Sequence, residues 1–386
     1  MIITLWHHTP AHSLPGCFHC SLFTVHCLSK MLELILSKQP NSTHMTKHFS
    51  AADGIRGVAC LIVVILHNVS KYLPTIGQYT KGCEKYGVWI FFTLSAFLLS
   101  IKLMNKKPTF PEYAKYIISR FFRIIPPFVV AVFTYYYMGY MNYQKMIDTI
   151  SFNSSYFHFW TIPVEFKFYF TLPLFLISFL VADKIKGIMG GGTLLFLLIL
   201  LVQNAYPYNI TIENSIQTLP YLSVFLFGVF SAVLHCRHNI KVSNAMGDSI
   251  ILFIISILFI ISPGVIENVF RFQPIDLMNK YVFLGILFTI LIFILCNTSG
   301  YSAVFFSNKA FRFIGKYSFS IYLYHWLFLT NNQNIYGGPV ETIFANTIMS
   351  IALGMLMFYL CETPMNYIRK SIENFAFKRK EISPQT

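Results

Sequence analysis

Charge is what this chain has least of. Of its 386 residues only 11% are Asp, Glu, Lys or Arg, and only 15 are acidic. A water-facing domain carries about a quarter charged residues, so a soluble protein is excluded. Nor does any polar stretch between the apolar segments reach the length of a domain, so no fused soluble module is expected outside the membrane. The eight cysteines are scattered along the chain and form no readable disulfide framework. Cys17, Cys20 and Cys27, with His19 and His26, approach metal-ligand spacing but lack the second half of a zinc site, so no metal is expected. A basic start, an apolar core and a small-residue cleavage site do not occur in that order, so no secretory signal is recognised.

What the sequence does have is apolar and aromatic: 55% hydrophobic residues, with 40 Phe, 23 Tyr and 4 Trp. A helix crosses about 30 Å of hydrocarbon with roughly 20 such residues. Ten segments qualify, at 54–72, 86–104, 124–141, 163–182, 188–205, 218–235, 249–266, 280–297, 317–333 and 340–361. The expected fold class is therefore all-α, a polytopic integral membrane protein of about ten transmembrane helices. Alternate assignment of the loops puts 22 Lys and Arg on the side of the N-terminus and six on the other. Basic residues accumulate on the cytoplasmic side, so both termini are expected there. The net charge of +14 is explained by that asymmetry and by contact with membrane lipids, and nucleic acid is not an expected partner.

Three regions follow. Residues 1–48 hold seven of the twelve histidines and are expected to be a poorly structured leader, with Met45 as the natural start. Residues 49–366 form the transmembrane domain, and residues 367–386 a basic cytoplasmic tail.

Ionisable groups in or beside a span cost several kcal/mol unless paired or hydrated, which makes each a candidate for function. Arg56 and His67 are eleven residues apart, so they share roughly one helix face and lie about 16 Å apart along the axis. The spacing alone equally fits an interfacial arginine and a helix-packing histidine. Arg120 and Arg123 project from one side of a helix; two planar guanidinium forks suit phosphate, and ordinary anchoring at a span end suits them too. Glu165 follows His158 and Trp160 at the expected outer interface, where it could orient a sugar hydroxyl or pair with Lys167 or a neighbouring helix. His325 lies in Tyr322-Leu323-Tyr324-His325-Trp326, where an aromatic belt explains the Tyr and Trp but not the histidine.

Taken in order, these segments resemble membrane acyltransferase family 3, which includes bacterial O-antigen and peptidoglycan O-acetyltransferases. Ala52-Asp53-Gly54-Ile55-Arg56-Gly57 with His67 looks like the family's opening and its Arg-x10-His signature. Gly87-Val88-Trp89-Ile90-Phe91-Phe92 is similar to its second-span pattern. Arg120-x-x-Arg123-Ile124-Ile125-Pro126 and Trp160-Thr161-Ile162-Pro163-Val164-Glu165 resemble two further elements. Gly315-Lys316-Tyr317-Ser318-Phe319-Ser320-Ile321-Tyr322-Leu323-Tyr324-His325-Trp326 and Glu362-Thr363-Pro364 complete the series. The chain departs from the pattern at Trp89, where an acidic residue is usual, and at Glu165-Phe166-Lys167-Phe168-Tyr169, where Glu-Glu-Gln-Phe-Tyr is usual.

The resemblance implies a multi-pass enzyme of the bacterial inner membrane. It would move an acetyl group from cytoplasmic acetyl-CoA, a co-substrate rather than a bound cofactor, to a hydroxyl of an extracytoplasmic glycan such as lipopolysaccharide O-antigen or capsule. His67 would act at the thioester, with Asp53 and Arg56 orienting the site. Arg120 and Arg123 would hold the CoA phosphates. Glu165, Trp160, His158, Tyr322 and His325 would bind or support the acceptor, and Ser95 would be a candidate acyl carrier. A transporter or flippase of a lipid-linked sugar, and an assembly partner for polysaccharide export, are the competing classes.

Overall fold

The computed structural model describes residues 49–207, 214–273, 281–329 and 337–378, so the leader and its Cys/His cluster lie outside the described residues. Those residues are helical and contain no strand. The protein is an all-α, polytopic membrane protein. Six helical stretches are long and apolar enough to cross a membrane, and two shorter apolar helices accompany them.

Helix α1 (Ser50–Tyr72) is stopped by Leu73 and the following Pro74, which starts the short α2 (Pro74–Thr80). Gly82, at φ +83°, turns the chain into α3 (Glu84–Met104). Helix α4 (Phe110–Tyr137) opens with a proline in its first turn and carries Pro126 and Pro127 inside. It begins fourteen residues before the expected third span, because hydropathy misses its polar first turns; Arg120 and Arg123 are therefore interior to a helix. After α5 (Tyr143–Ile150) and a 3-10 turn (Phe157–Trp160) comes α6 (Thr161–Ala205). Helical geometry breaks in α6 at Lys186 and Gly187 (φ +57°). A Cβ on Gly190 would meet the Ala182 carbonyl at 2.1 Å, so the chain folds back here and α6 is two spans in a hairpin, as the sequence pattern expects.

Next come α7 (Leu222–Arg237), α8 (Asn244–Ile260), α9 (Pro263–Asn268), α10 (Tyr281–Asn297) and α11 (Tyr301–Phe306). Helix α12 (Lys309–Tyr324) is capped by the Asn308 side chain and gives way at His325 to a 3-10 turn (His325–Phe328). The expected ninth span thus starts earlier and breaks in its middle. Helix α13 (Pro339–Met357) passes through a π-turn (Phe358–Glu362) into α14 (Thr363–Lys378), so the first part of the expected tail is helical.

Helix α1 is central, packed most extensively on α12 and also on α3 and α13, while α7 joins α3 to α6 and α10. Lipid tails are as apolar as leucine, so helices in a membrane are held largely by close packing, and small residues permit it. A Cβ on Gly54 would lie 1.5 Å from the Phe306 carbonyl oxygen, one on Gly57 2.0 Å from that of Phe311, and one on Gly315 2.0 Å from that of Asp53. Gly57 and Gly315 seat α1 and α12 backbone to backbone, and Gly54 does the same for α1 and the end of α11. That fixes Arg56 and His67 on one helix against Lys316 and His325 on the other.

Candidate active site

Three cavities line up between the packed helices. The inner one, about 630 Å³, is walled by Asp53, Arg56, Arg123, Arg312, Lys316 and Glu362. A middle chamber of about 810 Å³ includes Arg56, Ser95, Arg120, Arg123, Glu165 and Tyr169. The outer one, about 920 Å³, takes in His67, Glu84, Lys85, His158, Trp160 and Trp326. Arg56 and Arg123 line both the inner and middle cavities, and Val88 and Tyr322 line both the middle and outer ones.

The inner cavity is cationic. Four basic side chains from α1, α4 and α12 face two carboxylates. One carboxylate, Asp53, pairs with Arg56 at 3.7 Å. The other, buried Glu362, accepts a hydrogen bond from Ser320. Lys316 Nζ lies 4.8 Å from the Tyr317 ring centroid and 5.6 Å from that of Tyr359, which holds the ammonium at the rim.

In the middle chamber the Tyr169 hydroxyl donates to Glu165, one turn earlier in α6, and the Arg120 guanidinium sits 6.0 Å from the Tyr169 ring centroid. Ser95 lines the same chamber as this tyrosine. Glu165 stands on the chamber wall with Arg56, Arg120 and Arg123, and Lys167 does not pair with it but donates to the Ile216 carbonyl at 3.3 Å.

The outer cavity gathers residues far apart in sequence. His67 lies against His325, with ring centroids 5.4 Å apart, and against Trp326, at 4.8 Å. His158 is buried beside them, 4.8 Å from the His325 centroid. The Tyr322 hydroxyl donates to the His158 carbonyl at 2.7 Å and lies 3.0 Å from Thr161 Oγ1, which ties the 3-10 turn to α12. Trp160 packs with Trp89 and Tyr221, at 6.2 and 5.1 Å between centroids. Trp89, the departure from the family pattern, is fully buried in that aromatic cluster and lines none of the three cavities.

The candidate residues therefore form two groups. Asp53, Arg56 and Arg123 meet at the inner end, with Arg120 and Glu165 just beyond. His67, His158, Trp160, Tyr322 and His325 meet at the outer end. Asp53 and Arg56 do not reach His67, about three turns away. Sequence reasoning passed over Arg312 and Lys316, counted only as loop charge, although their four-residue spacing on the His325 helix was a usable signal. Tyr169 was missed too, at the same spacing from Glu165. Among the described residues no group of His, Cys, Asp and Glu has the makings of a metal site.

The acyltransferase family profile, described as "Acyltransferase domain", matches residues 49–366. The chain belongs to this family, the acyltransferase family 3 that its motifs resemble. It is 26% identical over 393 residues to the peptidoglycan O-acetyltransferase OatA of Listeria monocytogenes, covering 87% of this chain and 60% of that protein. It is 23% identical over 398 residues to the O-acetyltransferase OatA of Staphylococcus aureus, covering 90% of this chain and 61% of the relative. The chain thus spans about 60% of the length of these relatives. No solved structure matches it.

Proposed function

We propose that this protein is a membrane O-acyltransferase that carries an acetyl group from cytoplasmic acetyl-CoA to a hydroxyl of an extracytoplasmic cell-surface glycan. The observation that carries the reading is the cavity series: a cationic inner mouth and a histidine-lined outer one, joined through a chamber that shares residues with both. The CoA phosphates are held by Arg56, Arg123, Arg312 and Lys316, since charge-assisted forks suit phosphate. The pantetheine arm extends past Arg120 and Glu165 and brings the thioester to the divide at Tyr322. The glycan hydroxyl enters from the outer side.

In the transfer step the hydroxyl oxygen attacks the thioester carbonyl carbon and His67 takes the hydroxyl proton. The C–S bond then breaks, and the departing CoA thiolate recovers that proton from His67. The products are an O-acetyl ester and free CoA. Glycan identity is the finer question: O-antigen and capsule follow from the family resemblance, and peptidoglycan from the name of a relative.

Proteoliposomes holding the full chain and labelled acetyl-CoA inside, with glycan fragments outside, test the reading. Labelled ester on the outer glycan is expected. Movement of a lipid-linked sugar with no ester formed would replace it by the flippase reading. Mass spectrometry of peptidoglycan and of outer polysaccharide from cells with and without the gene identifies the acceptor.

A further inference from the structure

Helix α12 stops at Tyr324, and the stop leaves its last carbonyls without the amide donors that a continuing helix would bring. Side chains take those places. His325 Nδ1 lies 2.6 Å from the Tyr322 carbonyl oxygen, and His158 Nε2 lies 3.1 Å from that of Leu323. The Tyr135 hydroxyl donates to the same Leu323 oxygen at 3.2 Å. A carbonyl oxygen only accepts, so each ring nitrogen in these contacts carries the hydrogen. His325 is thereby protonated at Nδ1, and the neutral ring presents a lone pair at Nε2.

That lone pair faces Nδ1 of His67 at 3.3 Å. The ring planes differ by 18° and the centroids are 5.4 Å apart. Nitrogens so much closer together than the centroids mean that the rings meet edge to edge in nearly one plane, the geometry of an N–H···N bond rather than of a face-to-face stack. Two lone pairs would repel, so the hydrogen between the rings belongs to His67 Nδ1. With Nδ1 protonated, the neutral His67 ring keeps its lone pair on Nε2, in a side chain that lines the outer cavity.

We infer that His325 is a positioning residue for acyl transfer, holding His67 in the tautomer whose Nε2 is the base. The inference rests on the proposed transfer reaction and adds a role for the interrupted helix. The chain of bonds runs from the Tyr322 carbonyl through His325 to His67. When His67 Nε2 takes the hydroxyl proton the ring becomes a cation, and its Nδ1–H bond to His325 becomes charge-assisted and stronger. The carbonyl end of α12, the negative end of its dipole, lies behind His325 and favours the same cation. Return of the proton from Nε2 to the thiolate restores both starting tautomers, so no proton is lost along the pair. The other ionisable groups facing this cavity are Glu84 and Lys85 from α3, His158 from the 3-10 turn and Tyr322 from α12.

The test reads the tautomer directly. In the full chain, labelled with 15N-histidine in nanodiscs and assigned against His67→Gln, the His67 resonances are expected to show Nδ1 protonated and Nε2 bare. His325→Ala is expected to shift His67 toward the Nε2–H form and to lower kcat at least about ten-fold. The acceptor KM should stay within about two-fold, because only the chemical step is affected. His325→Gln, whose amide oxygen can accept from His67 Nδ1, is expected to recover most of that loss, and His325→Leu is not. A wild-type His67 protonated at Nε2, or a His325→Ala enzyme with unchanged kcat, overturns the inference. The NMR arm needs no turnover, so absence of any transferase activity would count against the proposed function and leave the tautomer assignment to be judged on its own.

Discussion

At the scale of single residues, the two ends of the site ask different things of their side chains. His67 is expected to be indispensable, because its bond to His325 leaves Nε2 as the bare ring nitrogen, and that bond becomes charge-assisted when Nε2 takes the hydroxyl proton. General-base help is worth about 10²- to 10⁴-fold, so His67→Ala should lower kcat by that much while the protein still inserts and folds. Transfer measured in proteoliposomes, beside size-exclusion profiles in detergent, checks both halves. The arginines work by charge. Arg123 lines both the inner and the middle cavities, so Arg123→Ala should raise the KM for acetyl-CoA by about ten-fold or more, each charge-assisted contact to phosphate being worth on the order of 1.5–3 kcal/mol. Lys316→Ala should have a smaller effect, since its ammonium is already engaged by the Tyr317 and Tyr359 rings. Equal donor KM values in wild type and Arg123→Ala would assign that arginine to anchoring alone.

At the scale of helices, the opening motif has two functions woven into one sequence. In Asp53-Gly54-Ile55-Arg56-Gly57 the charged residues face the inner cavity, while Gly54 seats α1 on α11 and Gly57 seats it on α12. A Cβ on Gly57 would stand 2.0 Å from the Phe311 carbonyl oxygen and 3.0 Å from the Gly315 nitrogen, both backbone atoms that cannot swing aside. Gly57→Val should therefore destabilise by at least about 1–3 kcal/mol, the usual range for overpacking. Gly192→Ala is the control: a Cβ there meets nothing within 4 Å, and alanine is the better helix former. Thermal unfolding in detergent should separate the two variants in opposite directions from wild type. The same helix pair shows what the sequence could and could not reveal. The span positions were legible because hydrocarbon imposes length and apolarity on every helix. Arg56 and His67 were legible as a pair because 3.6-residue periodicity puts them on one face. The partner of His67 was not, since His325 lies 258 residues away and only the packing of α1 on α12 brings it close. The neighbours of Glu165 were not legible for a related reason: hydropathy locates a span end but not the arginines that packing brings to the same cavity wall.

For the whole molecule, the proposed reaction raises the question of how a thioester inside and a hydroxyl outside would react without a hole in the membrane. The inner and middle cavities share the Arg56 and Arg123 walls. The middle and outer ones meet only where Val88 and Tyr322 line both. Tyr322 is held there by its hydroxyl, bonded to the His158 carbonyl and near Thr161, which makes it the expected partition between the donor and acceptor sides. The positive-inside count leads us to expect the arginine end on the cytoplasmic side, so a cysteine at Glu165, within the middle chamber, should be reachable from that side alone. In a background lacking the eight native cysteines, Glu165→Cys is expected to react with a membrane-impermeant thiol reagent in inverted vesicles and to be spared in right-side-out ones. Acetyl-CoA added to the inverted vesicles should protect it, because the pantetheine arm would pass that position. Adding Tyr322→Ala should remove the partition, and the same cysteine should then label from both sides. Excess thioester hydrolysis should accompany the labelling, since water would reach the donor. Labelling from the outer side with Tyr322 intact would put Glu165 in the outer compartment, and the divide between donor and acceptor would have to lie nearer the arginines than Tyr322.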